Sequence, residues 1–224
     1  MAKIIVVSKL GRKKGQTLFA AHLAAFLATT HQTALVDFEP QKHILENFVA
    51  QRHFFNLKHN QNLPVPTYFE YKPNLLSKIS ADFDFAVLDA KQESLFEYAD
   101  MVLTLLSDKQ EIKTISTKNS AFSNMLWQAK MNRAKQGKNA FMHVLILNDL
   151  FDESEIQNLK KNASLLGYLV APYLKQNRAY AEGVKKGVTV LDKDVPFLLK
   201  NFDEDDFFAR RNLKQILEFI WSDK

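Results

Sequence analysis

Residues 1–17, MAKIIVVSKLGRKKGQT, read as a strand running into a phosphate-binding turn. Ile4 to Val7 is a short β-branched apolar run, and residues 18–28, LFAAHLAAFLA, are rich in Ala and Leu with no Gly or Pro, so the order is strand, turn, helix. A Walker-type loop at such a junction reads G-x-x-x-x-G-K-[ST]. Its backbone N–H groups cradle phosphates, its lysine reaches the β and γ oxygens, and its hydroxyl binds Mg²⁺. Here the string is Gly11-Arg12-Lys13-Lys14-Gly15-Gln16-Thr17, followed by Leu18. Gly15 and Thr17 stand where the motif needs them, whereas Gln16 takes the place of the lysine. Arg12, Lys13 and Lys14 carry long side chains whose Cβ atoms hinder close backbone approach.

The next landmarks follow in order. Residues 33–38, TALVDF, form a second apolar run that delivers Asp37, with Glu39-Pro40-Gln41 after it. Residues 83–89, FDFAVLD, form a third that ends in Asp89. Strands that each deliver a carboxylate at the C-terminal end place it at the ligand edge of a parallel sheet. Further strands are expected over 101–106, 142–148 and 167–171. Helices are expected over 41–54, 110–135, 153–165, 177–186 and 207–221, and Pro64, Pro66 and Pro73 mark an extended loop before the third strand. With no repeat, linker or low-complexity stretch, residues 1–224 are expected to form one α/β domain.

With these residues in place the chain resembles the ParA/MinD family of deviant Walker A ATPases, whose loop reads KGGxGKT and is followed by V-D-x-D-P-Q and a Walker B aspartate. Within it the likeness is to MipZ, the division-plane positioning ATPases. It is carried by residues 46–66 (ENFVAQRHFFNLKHNQNLPVP), Trp127-Gln128-Ala129-Lys130, residues 144–148 (VLILN) and residues 178–192 (RAYAEGVKKGVTVLD). The resemblance implies a P-loop NTPase-like fold of the SIMIBI class, three layers with a mostly parallel central sheet flanked by helices. It also implies ATP and Mg²⁺ as cofactors. It assigns Gly15 to the loop glycine, Thr17 to the Mg²⁺ hydroxyl, Asp37 to the first switch aspartate, Asp89 to the Walker B carboxylate and Asn148 to the neighbourhood of the adenine. Thr17, Asp37 and Asp89 would then surround Mg²⁺ if nucleotide binds, and Asp37 and Glu39 are the candidate catalytic carboxylates.

The departures from that pattern bear on function. Gly11 stands at the signature lysine, Arg12 and Lys13 at the paired glycines, Gln16 at the loop lysine, Glu39 at the water-positioning aspartate, and Ala90-Lys91 at the Thr-Pro after the Walker B strand. Removing a charged partner from a desolvated phosphate site costs about 2–5 kcal/mol, and charge stabilisation by such groups is usually the largest catalytic term. Efficient hydrolysis is not expected. The resemblance then implies a spatial regulator acting mainly by binding FtsZ, ParB or non-specific DNA, with a homodimer as one possible state. The other reading is an active ParA-type ATPase that dimerises with ATP and positions DNA or division proteins. A loop that now takes another anion is a third.

Composition narrows the classes. The chain has 224 residues, 46% hydrophobic content and no cysteine, which excludes disulfides, thiol nucleophiles and cysteine metal sites. No export leader or membrane-spanning run is visible, and the expected address is the cytoplasm. The net charge is +5, and between Glu111 and Asp149 no acid occurs while Lys113, Lys118, Lys130, Arg133, Lys135 and Lys138 accumulate. Such a stretch suits either a nucleic-acid surface binding phosphates in a salt-dependent way or a solvated basic face. The six histidines lack zinc-site spacing and read as structural. Phe54-Phe55 and Phe207-Phe208 read as core aromatics, with a partner-facing role as the alternative. Leu213, Ile216, Leu217 and Ile220 form a helical stripe expected to pack on the sheet, with membrane contact as the alternative.

Overall fold

The computed structural model describes residues 1–10, 15–91, 93–117, 120–147, 153–192 and 204–221. Gly11, Arg12, Lys13, Lys14, Lys118 and Asn148 lie outside the described residues. Seven strands form one sheet: β1 (Lys3–Lys9), β2 (Thr33–Asp37), β3 (Thr67–Glu70), β4 (Phe85–Asp89), β5 (Met101–Leu106), β6 (Met142–Leu147) and β7 (Leu169–Val170). Their spatial order is β3-β2-β4-β1-β5-β6-β7, and every pairing is parallel. The helices are α1 (Gln16–Leu27), α2 (Ile44–His59), α3 (Leu75–Asp82), α4 (Lys109–Ser116), α5 (Ala121–Lys135), α6 (Glu153–Leu165), α7 (Arg178–Lys185) and α8 (Glu204–Trp221).

The strands are apolar on both faces because both faces are covered. Alternate residues of one strand serve opposite cores. Ile5 and Val7 pack with α1, α2, α7 and α8, while Val6 packs with α3, α4, α5 and α6. This is the expected three-layer α/β arrangement. Leu213, Ile216, Leu217 and Ile220 are buried in the first core, so the α8 stripe packs on the sheet. Helix α1 is nearly submerged, and its run of alanines lets its backbone approach β1 and α7 closely. His22 sits on this helix with Nδ1 2.9 Å from the Leu18 carbonyl and its ring edge-on to Tyr180. Burial lowers its pKa to about 4, so it is a neutral packing group.

Three expectations need correction. The proline-marked loop contains an edge strand, β3, in register with β2 (Ala34 opposite Thr67, Asp37 opposite Glu70), and the short helix α3. Its polar, half-exposed sequence TYFE lacks the apolar signal that marked the central strands. The single helix expected over 110–135 is two. Ser120 caps the second by accepting from the Ser123 N–H at 3.1 Å. A short 3-10 turn, Glu93–Glu97, joins β4 to β5. Of the two phenylalanine pairs, only Phe55 is buried. Phe54, Phe207 and Phe208 are exposed because they fall on the outer faces of α2 and α8.

One polar knot fastens the α2 side. Arg52 is fully buried on α2, and its guanidinium meets Asp192 in a fork, Nη1 to Oδ2 at 2.8 Å and Nη2 to Oδ1 at 2.7 Å. Its remaining donors reach the carbonyls of Pro64 (2.6 Å) and Gly187 (3.0 Å), while Asp192 also accepts from the Thr189 N–H at 2.6 Å. Gly187 has φ +75°, and a Cβ there would lie 2.1 Å from the Arg52 backbone nitrogen, so only glycine fits. The Arg52→Met variant leaves a buried carboxylate without its cation and should lose about 3–5 kcal/mol of unfolding free energy in urea. A loss below about 1 kcal/mol would contradict this role.

Candidate functional site

The site lies at the C-terminal edge of β1, β2 and β4, where the strand order turns back on itself around β1. Gly15 precedes α1 with φ +135°, a conformation that glycine adopts without strain. Its carbonyl starts the helix by accepting from the Phe19 N–H at 2.9 Å. Gln16 therefore opens α1, and its side chain is buried at 4% exposure. Its Nε2 donates to the Val7 carbonyl at 3.0 Å, back into β1, and it also hydrogen-bonds the Asp89 side chain. Gln16 Oε1 has no hydrogen-bond partner among the described residues. Thr17, half-buried one position on, hydrogen-bonds Asp89, and Leu18 packs against the α1-side core.

Asp37 and Asp89 stand opposite each other in the β2–β4 register and are 3% and 5% exposed. Asp37 Oδ1 accepts from the Glu39 N–H at 2.8 Å. Burial nonetheless raises its pKa above the usual carboxylate range. Burial pushes Asp89 up to about 6 against the hydrogen bonds of Thr17 and Gln16, with Asp37 adding like-charge repulsion. Asp89 Oδ1 has no hydrogen-bond partner among the described residues. Two carboxylates beside a hydroxyl, with one orphaned oxygen, are a donor set that fits Mg²⁺. The triphosphate grip does not fit in the same way, because the amide at the lysine position is neutral and turned into the protein.

Glu39, at the family's water-positioning aspartate, is held between two lysines. Its Oε2 meets Lys42 Nζ at 2.7 Å and its Oε1 meets Lys91 Nζ, and these two lysines hold its pKa down at about 2. Sequence reasoning noted Lys91 only as a replacement for proline and did not select Lys42 or Lys9. Lys9, at the end of β1, has its pKa lowered by burial and then by Lys91. The signal available was positional: all three lysines follow or end strands whose C-terminal ends meet at this edge.

Among the described residues, the basic residues of the stretch between Glu111 and Asp149 do not gather on one surface. Arg133 is 4% exposed and consumed within the fold, donating to the Asn139 and Glu97 carbonyls and pairing with Asp100 at 3.1 Å. Arg133 is therefore a structural residue and not a DNA contact. Lys130 is half-buried with its ammonium 5.6 Å from the centre of the Phe141 ring. Lys113 is exposed one turn into α4, past the C-terminal end of β5. Lys135 and Lys138 are exposed at the other edge, where Lys138 shares a groove with Met1 and Ala2. Among the described residues no group of three or more His, Cys, Asp or Glu could hold a metal by itself. No described helix is long and apolar enough to cross a membrane.

The family model for ATPase MipZ matches residues 73–220. The chain belongs to the MipZ family. The MipZ match covers well over half of the chain and includes Asp89 and Lys91, while Gly15, Gln16, Thr17, Asp37 and Glu39 precede it. Membership in MipZ supports a role as a spatial regulator. No curated protein sequence matches the chain. Among solved structures, MinD from Aquifex aeolicus is similar at 11% identity and TM-score 0.62, covering 100% of this chain and 98% of that one. Apo McdA from Cyanothece is similar at 16% identity and TM-score 0.55, covering 97% and 100%. A Borrelia burgdorferi plasmid partition protein bound to AMPPNP is similar at 14% identity and TM-score 0.55, covering 99% of each chain. At such identities these likenesses show the fold, that of the MinD and ParA P-loop NTPases.

The raised pKa of Asp89 has a consequence for stability. In the unfolded chain this carboxyl ionises near 3.8 and in the folded protein near 6, so between those values the folded state holds the extra proton and stability falls as pH rises. Above pH 6 folding must bury the charge, and below 3.8 it need not. In metal-free buffer Asp89→Asn should therefore raise unfolding free energy by about 1–3 kcal/mol at pH 7.5. The gain should vanish by about pH 4. A variant no more stable than the native protein at pH 7.5 would contradict the assignment.

Proposed function

We propose that this protein is a MipZ-type spatial regulator of cell division or chromosome partition that acts mainly by binding, as one α/β unit, with ATP hydrolysis impaired or lost. The observation that carries this is the Gln16 side chain. At the position where the family places its phosphate-gripping lysine, a neutral amide donates to the Val7 carbonyl at 3.0 Å. A triphosphate at this turn would have to compete with that internal bond and would gain no charge from it. Gly11, at the other family lysine, adds none either.

Thr17, Asp37 and Asp89 keep the donor set that would hold Mg²⁺, and its chemistry there would be charge neutralisation of phosphate oxygens. This retention favours weak nucleotide binding over complete loss. The Aquifex complex of MinC with MinD and the McdA–ATP complex from Cyanothece give precedents in the same fold for a protein partner and for nucleotide. We favour a protein partner of the FtsZ or ParB kind over DNA, since Arg133 is consumed internally and Lys113 sits far from Lys135 and Lys138 along the strand direction.

The competing reading is an active ParA-type ATPase cycling between monomer and ATP-bound dimer. Light scattering with and without Mg-ATP, together with phosphate release, separates the two. We expect no nucleotide-dependent rise in mass and release at background that Asp89→Ala leaves unchanged. Robust turnover abolished by Asp89→Ala would overturn the proposal.

A further inference from the structure

Three chain segments converge at the C-terminal edge of β1, β2 and β4, each bringing a lysine. Lys9 ends β1, Lys42 lies in the 3-10 turn Pro40–Lys42 after β2, and Lys91 follows β4. Between the last two sits Glu39, with one carboxylate oxygen on each ammonium: Oε2 on Lys42 Nζ at 2.7 Å and Oε1 on Lys91 Nζ. An anion whose two oxygens are taken by two cations from different segments has the form of a bound ligand, and a carboxylate and a phosphate present the same kind of oxygen acceptor to an ammonium group. The carboxylate here belongs to the protein itself.

We propose that Lys42 and Lys91 form an anion site that Glu39 occupies internally, and that its external ligand is a phosphate-bearing molecule that binds by displacing Glu39. The proposal rests on the reading that Gln16 has given up the usual phosphate grip, and it names what replaces that grip. A phosphate group carries more charge than a carboxylate, so the exchange strengthens the attraction to both lysines and to the nearby Lys9, whose pKa already responds to Lys91 and Lys42. The side chains of Lys42, Lys91 and Glu39 are 60%, 46% and 37% exposed, so the exchange requires no opening of the core. Glu39 is tethered beside its lysines and competes at high effective concentration, which makes the native affinity low.

Displacement would also break an ion pair between the segment after β2 and the segment after β4, since Glu39 joins Lys91 across them. Ligand binding would thus replace the internal tie between the two segments with one made through the ligand, a change driven by the ligand's preference for one of two arrangements.

The test is calorimetric titration of the full chain with inorganic tripolyphosphate at low ionic strength. Glu39→Gln is expected to bind at least tenfold more tightly than the native protein, and Lys42→Met with Lys91→Met in that background is expected to abolish the gain. Because all three altered side chains are more than a third exposed, thermal melting should report folded protein in each case. A Glu39→Gln variant that binds no more tightly, or a gain that persists without the two lysines, overturns the proposal. Asp89-dependent ATP turnover by the native protein would instead overturn the pseudo-ATPase reading, and the Glu39→Gln comparison is decided separately from it.

Discussion

The hydrogen bond from Gln16 Nε2 to the Val7 carbonyl ties the first turn of α1 to the end of β1, and the site takes its character from that bond. Strand β1 lies at the middle of the sheet with β4 and β5 on either side, and its residues serve both cores. Val7 is fully buried between those layers, so a side chain anchored to its carbonyl is held in place by packing. A lysine at this position would extend its charge outward. The shorter amide instead spends its donors on Val7 and Asp89, leaving a neutral floor beneath the place where phosphates would lie.

Around that floor the charges are rearranged within a scaffold that has kept its geometry. Asp37 and Asp89 remain buried at adjoining strand ends with pKa values raised by desolvation. Positive charge has moved to the rim, on Lys42 and Lys91, where water screens it and Glu39 neutralises it. Cations in the floor of a closed site act on a phosphate in low dielectric, whereas cations at the rim act through water and count for much less. The same formal charge therefore supports binding far better than it supports catalysis.

Much of this was legible in the sequence, for physical reasons that differ from element to element. Buried parallel strands are apolar throughout, so 33–38, 83–89, 101–106 and 142–148 stood out, and the aspartates at 37 and 89 marked the functional edge. The edge strand Thr67–Glu70 did not stand out, because a half-exposed strand has no such signature and prolines flank it. Gln16 was read as standing at the lysine position of the motif, but its bond to Val7 depends on the path of the backbone, which spacing does not encode. The Glu39 bridge was hidden for a related reason. Lys42 and Lys91 are 49 residues apart in sequence and meet only because β2 and β4 are neighbours. Arg133 misled for the opposite reason: its charge counted toward a basic stretch, while its position on the inner face of α5 sent it to Asp100.

The most direct measurement of the central claim is the affinity for Mg-ATP of the native chain and of Gln16→Lys, by calorimetry. Restoring the ammonium should tighten binding at least tenfold, given the roughly 2–5 kcal/mol that a charged partner contributes at a desolvated phosphate. Tight native binding that Gln16→Lys leaves unchanged would show that the amide at this turn is no obstacle, and the account would fail.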